Sequence, residues 1–336
     1  MKENGSEKYP AEAGGGEQKD TGFTCREVYE EGAALLQDLE DGRLDARLLL
    51  EHYCGITAHR LLADPETAVE PKARDAFMEA VHKRAAREPL AYIIGEQSFM
   101  GLPFVVSPDV LIPEQDTENL VEEALRYLED GSRILDLCTG SGCILLSLLH
   151  YSNDCIGVGT DISEPALRIA RHNAGSLGLT DRVLWLRGDL FDALGSGRPG
   201  EENDAVPEKD MQQRPLNGPF SSPEKYDMII SNPPYIRTGV IETLAPEVRC
   251  AEPRLALDGG EDGLDFYRRI IQEAPDHLVI GGRIILEIGY DQGEDVAALL
   301  REAGYYGVEI IQDYNRNDRV VTAVRSMKQK RDNVNV

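Results

Sequence analysis

The 336-residue sequence has little of what a membrane-spanning, secreted or metal-binding protein requires. No segment approaches about 18 consecutive apolar residues, and no apolar stretch follows the charged N-terminus, so we expect neither a membrane span nor a signal peptide. The six cysteines form no C-x-x-C pair and the six histidines form no H-x-x-x-H pair. Reduced, mostly buried thiols and no metal site are therefore expected. These absences favour a cytoplasmic protein.

Basic residues are also scarce relative to acidic residues. The chain has 35 Lys and Arg against 60 Asp and Glu, which gives a formal net charge of −25. Such a charge repels a phosphate backbone, so nucleic acid is disfavoured as the direct substrate. A chain of 336 residues is longer than one hydrophobic core usually serves, and we expect two domains.

The composition changes along the chain in a way that predicts domain boundaries. Residues 1–22 combine Gly, Glu, Lys and Pro with almost nothing to bury, so we expect a disordered tail. Apolar residues at helical spacing predict a small helical domain over 23–88. Short β-rich runs interrupted by glycines and a proline predict a β-hairpin over 89–108 that joins this domain to the next. The apolar stripe positions are Val28, Leu35, Leu36 and Leu39 in one segment and Ala73, Phe77, Ala80, Val81 and Ala85 in another.

Residues 109–330 alternate between strand patterns and helix patterns. Near-continuous apolar strands separated by helices are typical of a parallel sheet that is covered on both faces, and two further runs would complete the sheet as a pair. An insertion rich in Gly, Pro and charge over 193–224 interrupts this order and is expected to be flexible. The chain is therefore expected to belong to the α/β class. The predicted parallel strands cover 133–137, 155–160, 183–188, 227–231 and 283–289.

Acidic residues end three consecutive predicted strands. Asp136 ends the first and is followed by a Gly-rich turn over 139–142, while Asp161 ends the second and Asp189 the third. In an open α/β sheet, ligands bind beyond the carboxyl ends of the strands, where glycines let the backbone approach closely. A carboxylate at Asp161 can accept hydrogen bonds from ribose hydroxyls. Because the turn is neither G-x-G-x-x-G nor followed by Gly-Lys-Ser/Thr, we expect an adenosine compound without a pyrophosphate.

The fourth predicted strand ends on Asn232-Pro233-Pro234-Tyr235. Neither proline can join a sheet ladder, so the strand stops there. The Asn232 side chain and the following backbone offer two carbonyl acceptors, which can hold both hydrogens of an –NH₂ group, and Tyr235 offers a flat face for a planar amide or base. A turn that merely ends a strand is the alternative. With a cofactor nearby, we expect this turn to hold a weakly nucleophilic nitrogen against a strong electrophile.

Together these motifs resemble the class I S-adenosylmethionine-dependent methyltransferases, and within them the PrmC/HemK family, which methylates the glutamine amide of peptide chain release factors. The resemblance covers about residues 24–325 and is carried by segments such as PLAYIIGEQSFMGLPFVV, VLIPEQDTENLVE and SNPPYI. It implies a Rossmann-like methyltransferase sheet, with a small helical N-terminal domain joined by a β-hairpin. It also implies a monomer whose residues 23–88 help to grip a release factor and whose target is the glutamine of the Gly-Gly-Gln loop.

The resemblance assigns roles to residues at the strand ends. S-adenosylmethionine would contact Cys138, Thr139, Gly140, Ser141, Gly142, Asp161, Asp189, Leu190 and Asn232. The substrate amide would meet Asn232, Pro233, Pro234 and Tyr235, of which Asn232, Pro233 and Tyr235 are the expected catalytic residues.

Two positions depart from the family pattern. Glu114 stands where the family usually has Arg, and Cys138 stands where the class often has glycine. Three other functions share parts of the pattern: glutamine methylation of a ribosomal protein, amino methylation of adenine in DNA, and cofactor binding without catalysis. The DNA function needs a basic track for a flipped base, which the charge of −25 disfavours.

Overall fold

The computed structural model describes residues 22–195 and 225–327. The chain divides into two compact units, with the boundary between Ala86 and Arg87. Residues 1–21 of the predicted tail and 196–224 of the predicted insertion lie outside the described part of the chain. Within that part, no helix combines the length and apolarity needed to cross a bilayer.

The first unit is helical. Its helices are α1 (Cys25–Leu35), α2 (Gly42–Cys54), α3 (Ala58–Ala63) and α4 (Pro71–Ala85). Thr24 begins α1 with a capping box, since its hydroxyl accepts from the Glu27 N–H while the Glu27 carboxylate accepts from the Thr24 N–H. Val28 and Phe77 of the predicted stripes are fully buried. Leu35 is instead 44% exposed, because α1 ends there and the next residue turns into the core.

The second unit opens with the expected β-hairpin. Helix α5 (Leu90–Ile94) leads into β1 (Glu96–Phe99), which pairs antiparallel with β2 (Leu102–Val105). The two residues between the strands both have positive φ, as a two-residue hairpin turn requires.

A seven-stranded sheet forms the centre of this unit in the order β5-β4-β3-β6-β7-β9-β8. Its strands are β3 (Arg133–Leu137), β4 (Ile156–Asp161), β5 (Val183–Arg187), β6 (Tyr226–Ser231), β7 (Leu278–Glu287), β8 (Tyr306–Gln312) and β9 (Asp318–Val324). All neighbours are parallel except β9, which runs antiparallel to both β7 and β8. From β3 the chain continues to β4 and β5 on one side and then crosses back to β6 on the other side of β3, and ligands bind at such a switch point.

Helices cover both faces of this sheet, and two further short helices follow β6. The helices after α5 are α6 (Gln115–Leu125), α7 (Cys143–His150), α8 (Glu164–Ser176), the two short helices α9 (Pro246–Ala251) and α10 (Arg254–Leu257), α11 (Asp265–His277) and α12 (Gly293–Glu302). Ile134 packs with residues of α6 and α7, whereas its neighbour Leu135 packs with residues of α11 and α12. This alternation buries each strand on both sides, so the predicted α/β fold with a covered, mainly parallel sheet is confirmed.

Candidate active site

A cavity of about 340 Å³ opens at the carboxyl ends of the parallel strands. Its size falls within the range of about 300 to 1,000 Å³ that is typical of small-molecule sites. All of the predicted cofactor residues except Gly142 line it: Cys138, Thr139, Gly140, Ser141, Asp161, Asp189, Leu190 and Asn232. Residues separated by almost a hundred positions in the chain therefore converge on one space.

The Gly-rich turn uses its two glycines differently. Both have positive φ, +55° at Gly140 and +80° at Gly142. A Cβ added at Gly140 would meet nothing within 4 Å, so the turn presents bare backbone to the cavity there. A Cβ added at Gly142 would lie 2.8 Å from the ring of Trp185. Gly142 thus shapes the start of α7 from behind the cavity rather than lining it.

Asp161 supports the same turn from the end of β4. One carboxylate oxygen accepts the Gly140 N–H at 2.9 Å and the other accepts the Ser163 N–H at 2.8 Å. Ser163, not Asp161, caps α8. Burial raises the pKa of Asp161, and the two backbone bonds oppose this rise. Each oxygen keeps a lone pair that a hydroxyl group in the cavity could use.

Asp136 does not line the cavity, although its position at a strand end resembles that of Asp161. It is fully buried in β3 and accepts a hydrogen bond from the Thr139 hydroxyl. Burial raises its pKa to about 7. Asp136 therefore stabilises the Gly-rich turn from below.

Two non-glycine residues of the cavity wall adopt left-handed backbone conformations. Cys138 has φ +58° and Leu190 has φ +51°. This conformation costs an L-residue about 1 to 2 kcal/mol, a strain that glycine at the same position would avoid. Burial raises the pKa of the Cys138 thiol, so it remains protonated.

Asp189 is paired rather than free. Arg269 of α11 lies 2.9 Å from its carboxylate, and both residues line the cavity. Sequence reasoning missed Arg269 because a helical Arg beside a solvated surface gives no signal of its own. The Pro253–Ala256 segment and the residues before α6 were also missed as lining residues, since neither carries a charge pattern or periodicity typical of a site.

The Asn-Pro-Pro-Tyr turn follows β6 as predicted. Ser231, at the strand end, donates its hydroxyl to the Leu137 carbonyl at 2.7 Å and so fixes the start of the turn to β3. The Asn232 side-chain Nδ2 donates to the Thr117 hydroxyl at 3.3 Å. Pro234 lines the large cavity, whereas Pro233 is buried and lines neither cavity.

A second, smaller cavity of about 60 Å³ lies beside the first. Tyr235 lines it, and Asn232 lines both cavities. Asn232 thus forms part of the wall that the two spaces share. The residues common to both are Leu111, Glu114, Thr117, Asn232 and Ala256.

Three glutamates surround the small cavity, namely Glu114, Glu252 and Glu287. Burial raises the pKa of both Glu252 and Glu287 to about 8. Burial and the nearby Asp116 also raise the pKa of Glu114. Arg319 pairs with Asp116 at 2.8 Å. Glu114 thus places a carboxyl group in the wall between the cavities.

The chain is similar in sequence to known proteins. The model of the PrmC N-terminal domain matches residues 27–95. The release factor glutamine methyltransferase of Moorella thermoacetica is 43% identical over 308 residues, covering 90% of this chain and 99% of that protein. The protein of the same name from Geobacter sulfurreducens is 38% identical over 301 residues, covering 89% and 96%.

A solved structure is also similar. The crystal structure of the protein-(glutamine-N5) methyltransferase (release factor-specific) from Alicyclobacillus acidocaldarius is 28% identical, covers 66% of this chain and 99% of that one, and gives a TM-score of 0.36.

Proposed function

Because this chain belongs to the release factor glutamine methyltransferase family, we propose that it methylates the glutamine in the Gly-Gly-Gln loop of peptide chain release factors. The methyl group comes from S-adenosylmethionine and is transferred to the side-chain amide nitrogen. In this proposal the large cavity binds the cofactor and the small cavity binds the glutamine side chain.

The position of Asn232 in the shared wall is the observation that carries the proposal. Asn232 lines both cavities, so an amide that binds to it from the small cavity would turn its nitrogen toward the large one. The Tyr235 ring lies on the small-cavity side, where a planar amide can stack against it. A turn that served only to end β6 would not need to line two cavities.

The large cavity fits an adenosine cofactor. Asp161 has lone pairs for the ribose hydroxyls, and Gly140 exposes backbone where a side chain would otherwise project. Asp189 and Leu190 would hold the adenine, with Arg269 fixing the Asp189 carboxylate. S-adenosylmethionine, when bound, supplies a methyl group on a positively charged sulfur.

The protein's own contribution is orientation. An amide nitrogen is a poor nucleophile because its lone pair is conjugated, as the barrier of about 18 to 20 kcal/mol to amide rotation shows. Asn232 Oδ1 and a backbone carbonyl of the turn accept the two amide hydrogens. Holding reacting groups at near-attack distance contributes roughly 7 to 11 kcal/mol. The protonated Cys138 thiol does not compete for the methyl group, since the thiolate is the nucleophilic form.

Two features support a protein substrate over DNA. The small cavity suits one slender side chain better than a flipped base. The net charge of −25 opposes a phosphate backbone.

In the direct test, the protein is incubated with labelled S-adenosylmethionine and, in parallel, with each of three substrates: purified release factors, purified ribosomal proteins and duplex DNA. We expect label on the release factors, with mass spectrometry placing one methyl group on the glutamine of the Gly-Gly-Gln peptide. The Asn232→Ala variant is the control for contaminating activity. Label on a ribosomal protein or DNA, with none on the release factors, would contradict the proposed substrate.

A further inference from the structure

A hydrogen-bonded side chain lies beside Asn232 in the wall that the two cavities share. Thr117, in the first turn of α6, is 3% exposed, and its hydroxyl accepts the Asn232 Nδ2 hydrogen at 3.3 Å. A hydroxyl that accepts this hydrogen still has its own hydrogen to donate.

The buried Glu287 at the end of β7 lines the small cavity next to Thr117 and Tyr235. The Tyr235 hydroxyl donates to Glu287 Oε1 at 3.5 Å. The Thr117 side chain lowers the pKa of Glu287, against the larger rise that burial causes.

We propose that Thr117 is a positioning residue for methyl transfer, because its hydroxyl bonds to Asn232 Nδ2 and so holds the Asn232 side chain with Oδ1 left for the –NH₂ group of the substrate. This inference rests on the proposed function and adds a residue to it.

The orientation matters because the two ends of an asparagine amide have opposite hydrogen-bonding character. The reacting –NH₂ group offers two donors and needs acceptors, so a flipped Asn232 would set donor against donor. The terminal torsion of Asn is broad and roughly two-fold, so the side chain does not choose between the two orientations by itself. In the structure Nδ2 donates to the Thr117 oxygen, which leaves Oδ1 for the substrate.

The test compares hydroxyl removal with hydroxyl retention at position 117. Thr117→Val keeps the shape and removes the hydroxyl, while Thr117→Ser keeps the hydroxyl. Thr322→Val is the matched control, since Thr322 is fully buried and bonded to Arg283 in the sheet, outside both cavities. The readouts are single-turnover methylation of a release factor at saturating S-adenosylmethionine and calorimetric cofactor affinity.

We expect Thr117→Val to lower the single-turnover rate by roughly 10-fold to 100-fold, by analogy with the loss of an outer hydrogen bond that orients a metal-binding side chain. Cofactor affinity should stay within about two-fold, and Thr117→Ser should restore most of the rate. Thr322→Val should react like the wild type. If Thr117→Val does not fold, Thr117→Ala replaces it with the same expectation. A hydroxyl-free variant that folds and reacts at the wild-type rate would overturn the proposal.

A double-mutant cycle separates positioning from a general structural effect. If Thr117 acts through Asn232, adding Thr117→Val to Asn232→Ala should change the rate by less than about two-fold. If the two rate losses multiply, Thr117 acts elsewhere and the proposal is wrong. Failure of the wild-type enzyme to methylate a release factor would instead refute the proposed function, so the two failures are distinguishable.

Discussion

The Gln292 side chain donates to the Tyr235 carbonyl at 3.0 Å and so holds the last residue of the Asn-Pro-Pro-Tyr turn from the loop after β7. The same Nε2 atom donates to the Gly263 carbonyl at 3.2 Å, while Oε1 accepts the Gly289 N–H at 2.9 Å. Gln292 is 2% exposed. Three backbone segments that are distant in sequence therefore meet at one amide.

Replacing Gln292 by Ala should destabilise the protein. Each buried carbonyl left without its donor costs about 1 to 3 kcal/mol, so the free energy of unfolding should fall by at least that amount. Urea unfolding measures this, with Gln312→Ala as the control, because Gln312 is an exposed glutamine bonded only to a side chain. Equal effects of the two substitutions would show that Gln292 does not hold the turn.

Replacing Asp161 by Ala should weaken cofactor binding. A hydrogen bond to a charged group typically contributes about 1.5 to 3 kcal/mol, which corresponds to roughly 10-fold to 150-fold in the dissociation constant. Part of the loss would come from the Gly140 N–H, which also loses its acceptor. Calorimetry with S-adenosylmethionine tests this prediction. Unchanged affinity in a folded variant would show that Asp161 does not bind the cofactor.

Replacing Cys138 by Gly should stabilise the protein more than replacing it by Ala. Both substitutions remove the thiol, but only glycine escapes the left-handed strain of about 1 to 2 kcal/mol at φ +58°. The entropy that glycine loses on folding, about 0.5 to 1 kcal/mol, offsets part of this gain. In urea unfolding, Cys138→Gly should have a higher free energy of unfolding than Cys138→Ala. The opposite order would show that the backbone at this position is not strained.

The buried carboxyl groups should make stability depend on pH. Burial raises the pKa of Glu287 to about 8 and that of Asp136 to about 7, whereas the unfolded chain has carboxyl pKa values near 4. Between about pH 4 and about pH 8 the folded protein therefore binds more protons than the unfolded chain. The contribution of these groups to the free energy of unfolding is complete at about pH 4 and is lost as the pH rises to about 8.

The variant Glu287→Gln isolates this effect. It removes one titrating group, so its free energy of unfolding should fall less steeply between pH 5 and pH 8 than that of the wild type. Glu309→Gln, at an exposed position of β8, should leave the slope unchanged. If the free energy of unfolding of Glu287→Gln depended on pH as steeply as that of the wild type, the Glu287 carboxyl group would not titrate between pH 5 and pH 8.

The sequence predicted those parts of the fold that depend on local pattern. The strand predicted over 133–137 coincides with β3, since an apolar run bounded by polar residues marks both of its ends. β7 begins at Leu278 rather than at residue 283, because glycines 281 and 282 interrupt the apolar pattern where the pairing with β6 shifts register. Helices α2 and α3 were not predicted, and α3 has no buried residue to give an apolar stripe.

The site was predictable only where a residue follows a strand end. Asp161, Asp189 and Asn232 were identified because parallel strands bring their carboxyl ends to one edge of a sheet. Thr117, Glu287 and Gln292 act through contacts that join positions 52 to 115 residues apart. No local spacing encodes such contacts, and each residue alone fits an ordinary helix, strand or loop.

Single-turnover methylation of a release factor by Asn232→Ala, at saturating S-adenosylmethionine, tests the central claim most directly. Losing one of two acceptors that position the amide should lower the rate by roughly 10²-fold to 10³-fold, by analogy with removal of one oxyanion-hole donor, while cofactor affinity falls far less. β6 ends before this residue, so the variant should unfold as cooperatively as the wild type. A rate close to that of the wild type in the folded variant would show that the turn only ends a strand and that the amide is not held there.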